Sequence, residues 1–193
     1  APNISNKEVE AEPKAIVGSS SKCEVITKFR TTVGLKGHLS TRLQPNHPTD
    51  DVKGILASVV DGLFYGSGDA LIGINPAFDN INTQINLLKM LDDVRQQYKI
   101  PTQICILSHI TNTIMSIEKG APVDLVFQSI GGTEKTNKSF GINLSTLKEG
   151  YEAAQSLSRG TIGNNVMYFE TGQGSSLSSN SNHGIDQQTL EAR

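Results

Sequence analysis

The chain has 193 residues, of which 36% are hydrophobic and 19% are charged, and its formal net charge is -2. This length corresponds to about one domain, large enough to bury a sizeable core. The nearly balanced charge gives no attraction for nucleic-acid phosphates or anionic lipid, so we expect neither partner. The apolar runs are far shorter than the ~20 residues of a membrane span. Only two cysteines are present, Cys23 and Cys105, which excludes a disulfide scaffold and favours a reducing, cytoplasmic location.

Strand-like and helix-like patterns alternate along the chain after an N-terminal segment, residues 1–37, for which the pattern predicts no defined structure. Short apolar runs predict strands over 38–43, 70–74, 104–107, 125–127 and 166–169. Apolar residues three or four positions apart predict helices over 52–63, 80–98, 111–119 and 144–157, the first of them capped within 49–51. The chain begins without Met, and 186–193 look like an interrupted helix, so we expect a piece of a longer protein.

Alternating strands and helices predict an α/β fold with a parallel sheet and right-handed crossovers. The strands are continuous apolar runs, as in strands that are covered on both faces. Five strand–helix units are too few to close an eight-stranded barrel, so the sheet is either open and doubly wound or part of a barrel. The apparent truncation favours a (β/α)8 TIM-type barrel. We therefore assign 38–193 to a partial barrel domain holding about its first five units.

Polar residues follow each predicted strand directly. Because the carboxyl ends of parallel strands lie at one edge of a sheet, these side chains could line a single pocket, although capping would explain any one of them. They are Arg42 and Gln44, Asn75, Ser108 and His109, Gln128 and Ser129, and Glu170. A carboxylate, a guanidinium and several amides suit a small ligand with a cationic amine and a hydroxyl group.

Other site chemistries fit the sequence less well. The four histidines, His38, His47, His109 and His183, are scattered without the spacing of metal ligands, so we expect no metal site. The glycine-rich residues 66–69 precede a strand, whereas a phosphate-binding loop follows one. We interpret Asp92 and Asp93 as the solvated face of a helix.

Four stretches resemble one enzyme family. They are residues 40–46 (STRLQPN), 68–76 (GDALIGINP), 127–130 (FQSI) and 168–175 (YFETGQGS). Together they resemble the large subunit of ethanolamine ammonia-lyase, and the resemblance runs from about residue 38 to residue 193. It implies a (β/α)8 barrel whose later strands, which bring a substrate-binding aspartate, lie beyond this chain. The chain alone would then be inactive.

The resemblance also implies roles for individual residues. Arg42 and Asn75 would hold the substrate hydroxyl, Gln44 would hold the amine, and Glu170 would bridge both. A second group would contact adenosylcobalamin, namely Pro76, Gln128, Ser178 and, as a neighbour of Gln128, Ser129.

The implied reaction converts ethanolamine to acetaldehyde and ammonia by a radical 1,2-amino migration. The resemblance further implies a small partner subunit that covers the cobalamin, assembly into a larger hetero-oligomer, and a cytoplasmic location, in some bacteria inside a microcompartment. Two alternatives stay open. One is another barrel enzyme, a hydrolase with Glu170 as general base or an aldolase with Lys135 as Schiff-base lysine. The other is a non-catalytic scaffold or fragment.

Overall fold

A computed structural model of the chain describes residues 31–33, 37, 39–161, 164–171 and 185. These residues belong to two compact units. The described residues as far as Gln128, and those of Leu144–Glu170, form the larger unit, whereas Ser129–Asn143 belong to the smaller one. The expectations for the N-terminal segment fall mostly outside the described residues, and the division of the chain at residue 38 stays a prediction.

Five strands alternate with helices, as the apolar patterns predict. In chain order the elements are β1 Arg42–Leu43, α1 Val52–Phe64, β2 Leu71–Ile74, α2 Ile81–Gln97, β3 Ile104–Ile106, α3 Ile110–Glu118, β4 Val126–Ile130, α4 Glu134–Ser139, α5 Leu144–Ser156 and β5 Met167–Thr171. The first strand is shorter than predicted, since residues 39–41 are not in a strand. The short helix α4 was not predicted.

The helices α1 and α2 begin where side chains can satisfy their first amides. Asp51 accepts a hydrogen bond from the amide of Gly54 at 2.7 Å, which confirms the predicted cap of α1. Asn80 accepts one from the amide of Thr83 at 3.1 Å at the start of α2. In α4, which has no apolar periodicity, Thr133 caps the amide of Thr136 instead. That lack of periodicity explains why the helix was missed.

The strands form a three-stranded sheet, β1-β2-β3, and a two-stranded sheet, β4-β5. The pairing of β1 with β2 and of β2 with β3 is parallel, with Arg42 level with Leu71 and Ile72 level with Ile104. The predicted α/β class with parallel strands is thus confirmed. Within the described residues the five strands do not close on themselves, and the eight-stranded barrel stays a prediction.

Both faces of β2, β3 and the start of β4 are buried, as their apolar runs predict, whereas Arg42 of β1 and Phe169 of β5 are exposed. One face carries a hydrophobic cluster that contains Leu71, Cys105, Leu107, Leu125 and Phe127, with Tyr168 packed against it. The alternate residues Ile72, Ile74, Ile104, Ile106 and Val126 are also buried. Strands covered on both sides are typical of α/β proteins. We refer to the side of the strands that carries this hydrophobic cluster as the cluster face.

A buried ionic network lies at the amino-terminal ends of β3 and β4. Asp124, directly before β4, accepts hydrogen bonds from the amide of Ile104 at 3.0 Å and from Nε of Arg159 at 2.9 Å. Arg159 also pairs with Asp92 at 2.6 Å, and Arg95 pairs with the same carboxylate at 2.7 Å. The interpretation of Asp92 as solvated is therefore wrong, because it faces the sheet side of α2, whereas Asp93 is exposed.

Candidate active site

The guanidinium group of Arg42 is the centre of a polar constellation on the cluster face. Its Nη1 donates to Oε2 of Glu170 at 2.6 Å and also to the hydroxyl of Tyr168. Its Nη2 donates to Oε1 of Gln44 at 2.7 Å. The planar fork of an arginine can hold several acceptors in fixed directions. The structure therefore brings together three of the predicted site residues: Arg42, Gln44 and Glu170.

Strand periodicity explains why these side chains meet. Successive side chains of a strand point to opposite faces, so Arg42 and Gln44 share one face, as do Tyr168 and Glu170. The ring of Tyr168 lies 5.5 Å from that of Phe127, which places it on the hydrophobic cluster. The guanidinium carbon of Arg42 lies 5.9 Å from the centre of the same ring. The polar constellation thus lies directly above the apolar cluster.

The contact between Arg42 and Glu170 joins the two sheets. Arg42 lies on β1 of the three-stranded sheet, and Glu170 lies on β5 of the two-stranded sheet. Their side chains meet at 2.6 Å. The first and fifth strands therefore approach each other on the cluster face.

The electrostatics keep the constellation in defined protonation states. Burial alone would lower the pKa of Arg42, but hydrogen bonds and charge from Glu170 and Tyr168 raise it above its ordinary value. Burial raises the pKa of Tyr168, although the Arg42 charge opposes this shift. Burial also strongly raises the pKa of the Cys105 thiol in the cluster below. At neutral pH the site thus contains a fixed cation, a neutral phenol and a neutral thiol, and neither of the last two is a ready nucleophile.

Asn75 and Pro76 directly follow β2, at the same sheet edge as Gln44. In the parallel register Leu43 is level with Ile72, so Gln44 and Asn75 both follow the ends of neighbouring strands. The amide of Asn75 donates to Oδ1 of Asn46 at 2.9 Å, Asn75 is exposed, and Pro76 is half-buried. This placement leaves Asn75 accessible to a ligand at that edge.

Two of the other polar residues at the strand ends, Gln128 and His109, bind the first amides of helix α3. Oε1 of Gln128 accepts the amide of Ile110 at 2.8 Å, and the Gln128 side chain is buried. His109 is the N-cap of the same helix, and Ser108 bonds to Gln84 at 3.3 Å. The capping interpretation is therefore right for His109. The role of Gln128 toward a cofactor stays a prediction.

The structure describes three of the four residues predicted to contact the cofactor. Pro76 adjoins Asn75 at the site edge, and Gln128 is engaged with α3. Ser129 belongs to the smaller unit, and Ser178 lies outside the described residues. Within the described part of the chain, no group of three or more His, Cys, Asp or Glu residues could hold a metal ion.

Tyr168 is the site residue that the sequence reasoning missed. Its hydroxyl lies between the side chains of Arg42 and Glu170, 3.4 Å from Oε2 of the latter. It precedes Glu170 by two positions, so strand periodicity could have placed it on the same face.

A family model described as "Ethanolamine ammonia lyase large subunit (EutB)" matches residues 11–193. The chain belongs to the ethanolamine ammonia-lyase large-subunit family. It is 45% identical over 178 residues to the ethanolamine ammonia-lyase large subunits of Salmonella typhimurium (strain LT2) and Escherichia coli (strain K12). These alignments include 92% of this chain and 39% of each relative, so the chain spans about two fifths of the length of the curated relatives it matches.

Membership of the ethanolamine ammonia-lyase family confirms the resemblance carried by the four motifs. Three of them hold the residues of the constellation or of the segment after β2, namely 40–46, 68–76 and 168–175. None of the helices in the described ranges is long and apolar enough to cross a lipid bilayer.

Proposed function

We propose that the chain contributes to the large, catalytic subunit of an adenosylcobalamin-dependent ethanolamine ammonia-lyase. The enzyme converts ethanolamine to acetaldehyde and ammonia by a radical 1,2-amino migration. The observation that carries this proposal is the hydrogen-bonded set of Arg42, Gln44 and Glu170 in a chain of this family. These groups match the two polar ends of an amino alcohol.

The roles proposed for the side chains are those that the family resemblance implies, and they agree with the hydrogen-bonding capacity of each group. Glu170 accepts from both the ammonium and the hydroxyl of ethanolamine, and Gln44 accepts from the ammonium through Oε1. Arg42 and Asn75 donate to the hydroxyl oxygen. Arg42 bonds directly to the oxygens of Glu170 and Gln44 at 2.6 and 2.7 Å, and these bonds hold both acceptors close to the guanidinium group.

The charge balance of the constellation requires a further carboxylate for the substrate. Arg42 and Glu170 neutralise each other, so a bound ammonium would be one unpaired positive charge beside a guanidinium. The aspartate that the family resemblance implies on a later strand would supply the missing negative charge. We therefore place activity in the assembled enzyme rather than in this chain alone.

The protein's part in the reaction is positional and electrostatic. The raised pKa of Arg42 keeps it cationic, so it stabilises negative charge that develops on the substrate oxygen as the amine migrates. Glu170 shares the proton of the migrating ammonium group. Tyr168 and Cys105 stay neutral and do not compete as nucleophiles. Such a site suits chemistry in which a cofactor supplies the reactive atom.

Adenosylcobalamin would be held at the edge where β2 ends. When bound, it supplies the radical that abstracts hydrogen from the carbinol carbon of ethanolamine. Pro76 offers a half-buried apolar contact beside Asn75. Gln128, Ser129 and Ser178 complete the proposed cofactor contacts.

The architecture and assembly belong to the same proposal. The contact between side chains of β1 and β5 supports a (β/α)8 barrel whose first five units are in this chain, within a domain over 38–193. A small subunit covers the cobalamin, and the two kinds of chain form a larger hetero-oligomer. The enzyme acts in the cytoplasm and, in some bacteria, inside a microcompartment.

The test is turnover by the enzyme assembled with its small subunit. We expect ammonia and acetaldehyde from ethanolamine only when adenosylcobalamin is present. Glu170→Gln should lower turnover by about two to three orders of magnitude. The matched control is Glu152→Gln, an exposed carboxylate of α5 paired with Lys148 at 3.7 Å, and it should leave turnover unchanged.

Three results would contradict the proposal. Turnover without adenosylcobalamin would exclude the radical mechanism. Full activity of Glu170→Gln would show that Glu170 is not a residue of the active site. A Schiff base trapped on Lys135 by borohydride would support the aldolase alternative instead.

A further inference from the structure

The segment that follows β2, residues 75–78, is held by two side chains from the loop that follows β1. Oδ1 of Asn46 accepts the amide of Asn75 at 2.9 Å. The carboxylate of Asp50 accepts the amides of Ala77 at 2.8 Å and of Phe78 at 3.2 Å. Pro76 has no amide hydrogen. Every backbone N–H of this segment is therefore bound to Asn46 or Asp50.

Asp50 combines burial with an unusual backbone conformation. The residue is 6% exposed, and its φ is +53°, in the left-handed region. Aspartate adopts this region more readily than most residues do, but glycine adopts it more readily still. Such conformations persist where surrounding groups stabilise them. Here the amides of Ala77 and Phe78, which donate to the carboxylate, stabilise the conformation of Asp50.

The loop that supplies these two side chains has hydrogen bonds and close packing of its own. The amide of Asn46 bonds to the carbonyl of Gln44 at 3.0 Å, and that of Asp50 bonds to the carbonyl of His47 at 3.1 Å. Pro45 is buried. The His47 ring packs so closely on Gly54 of α1 that a Cβ there would lie 2.7 Å from the ring. Gln44, at the start of this loop, is also bonded to Arg42.

We propose that Asn46 and Asp50 are positioning residues that fix Asn75 relative to Arg42 and Gln44. They do not touch the substrate but act through the backbone of residues 75–78. This inference rests on the proposed function, because the distance they set matters only if Asn75 and Gln44 bind the two ends of one molecule. A misplaced Asn75 would lose its bond to the substrate hydroxyl while Gln44 and Glu170 still held the amine.

The first experiment measures the segment itself, without reference to activity. We expect the amides of Asn75, Ala77 and Phe78 to be protected from hydrogen exchange in the assembled enzyme. Asp50→Gly should accelerate exchange at Ala77 and Phe78. Glycine tolerates the positive φ, so this variant removes the carboxylate without straining the backbone. Asp51→Asn is the matched control, since asparagine caps a helix as well as aspartate does. Unchanged exchange in Asp50→Gly would overturn the proposal.

The second experiment asks whether the effect passes through Asn75. Asp50→Gly and Asn46→Ala should each raise KM for ethanolamine by about tenfold, as expected for one weakened hydrogen bond to substrate. In an Asn75→Ala background the same substitutions should change KM by less than about twofold. If the substitutions raise KM by the same factor in both backgrounds, the positioning role is wrong. An effect that comes from a general loss of stability would add to the effect of Asn75→Ala in this way.

The two experiments separate this inference from the proposed function. If the wild-type enzyme does not deaminate ethanolamine but Asp50→Gly still accelerates exchange at residues 75–78, the proposed function is wrong. The binding of this segment by Asp50 is then still supported. If ethanolamine is deaminated and Asp50→Gly leaves both exchange and KM unchanged, the proposed function stands and the positioning role is wrong.

Discussion

Arg42 and Glu170 are 128 residues apart in the chain, and their side chains meet at 2.6 Å across the cluster face. The two side chains are 30% and 43% exposed, so their ion pair is largely solvated. Pairs of this kind contribute at most about 1 kcal/mol to the free energy of unfolding. A contact that ties the first strand to the fifth at so small a gain in stability is better explained by a role toward a ligand.

Replacing Arg42 should therefore damage activity far more than stability. Arg42→Ala should lower kcat/KM for ethanolamine by about 10³-fold, and Arg42→Lys by about 10²-fold, because lysine cannot bind Glu170 and Gln44 through a rigid fork. The free energy of unfolding should change by less than about 1 kcal/mol in Arg42→Lys. Steady-state kinetics and urea titration of the assembled enzyme measure the two quantities.

The control for Arg42 is Lys148→Ala, which removes an exposed cation of α5 that is 75% exposed and pairs only weakly with Glu152. It should leave both quantities unchanged. Equal kinetic effects of the Arg42 and Lys148 variants would mean that charge alone, rather than the site, determines activity.

The hydroxyl of Tyr168 should contribute to the alignment of Arg42 and Glu170. Tyr168→Phe keeps the ring that packs 5.5 Å from Phe127 but removes the group between the two charged side chains. We expect kcat/KM to fall by about tenfold, with a loss of stability below about 1.5 kcal/mol. Tyr151→Phe, at a tyrosine of α5 that is 38% exposed, is the matched control. A fully active Tyr168→Phe enzyme would show that the ring alone matters.

The network around Asp92 should make stability depend on acid pH. Burial alone would raise the pKa of Asp92, but hydrogen bonds and charge from Arg159 and Arg95 lower it below its ordinary value. A carboxylate with a lowered pKa in the folded state stabilises the fold above the unfolded pKa of about 3.9. That stabilisation disappears as the pH falls through the lower, folded pKa.

Asp92→Asn tests this network directly. At pH 7 it should lower the free energy of unfolding by roughly 3 kcal/mol, the low end for breaking a buried pair, since Arg159 is 22% exposed. Between pH 5 and 2 its stability should fall less steeply than that of the wild type, as followed by thermal unfolding. Asp93→Asn, on the exposed side of the same helix, should reproduce the wild-type curve. An acid profile of Asp92→Asn parallel to that of the wild type would refute the assignment.

Cys105 should be chemically inert in the folded protein. It is a free thiol with no exposed surface, and burial raises its pKa, so the reactive thiolate is scarce at neutral pH. Iodoacetamide at pH 8 should leave the peptide containing Cys105 unmodified until the protein is unfolded with urea, as peptide mass spectrometry can show. Rapid modification of the native protein would mean that the cluster face opens on that timescale.

The strands and most helices were predictable because their signals are local. Val52–Phe64 and Ile81–Gln97 repeat apolar residues at helical spacing and start at a capping side chain. The polar strand ends also pointed to Arg42, Gln44 and Glu170, because the carboxyl ends of parallel strands converge. The helix Glu134–Ser139 lacks apolar periodicity and depends on its caps, so no pattern marked it.

Most of the interactions that the sequence reasoning missed are between distant residues. Asp92 looked solvated because one of its partners, Arg159, is 67 residues away in the chain. The bonds from Asp50 to the amides after β2 span 27 and 28 residues and depend on a backbone conformation that no local motif reveals. Tyr168 differs, since its place two positions before Glu170 was readable from strand periodicity.

The most direct test of the central claim is a crystal structure of the assembled enzyme with ethanolamine bound. We expect the amine nitrogen within hydrogen-bond distance of Glu170 and Gln44, and the hydroxyl oxygen within that distance of Arg42 and Asn75. Ethanolamine would then lie between groups that now bond directly at 2.6 and 2.7 Å. Ethanolamine bound elsewhere, with Arg42 still bonded directly to Glu170 and Gln44, would contradict the account.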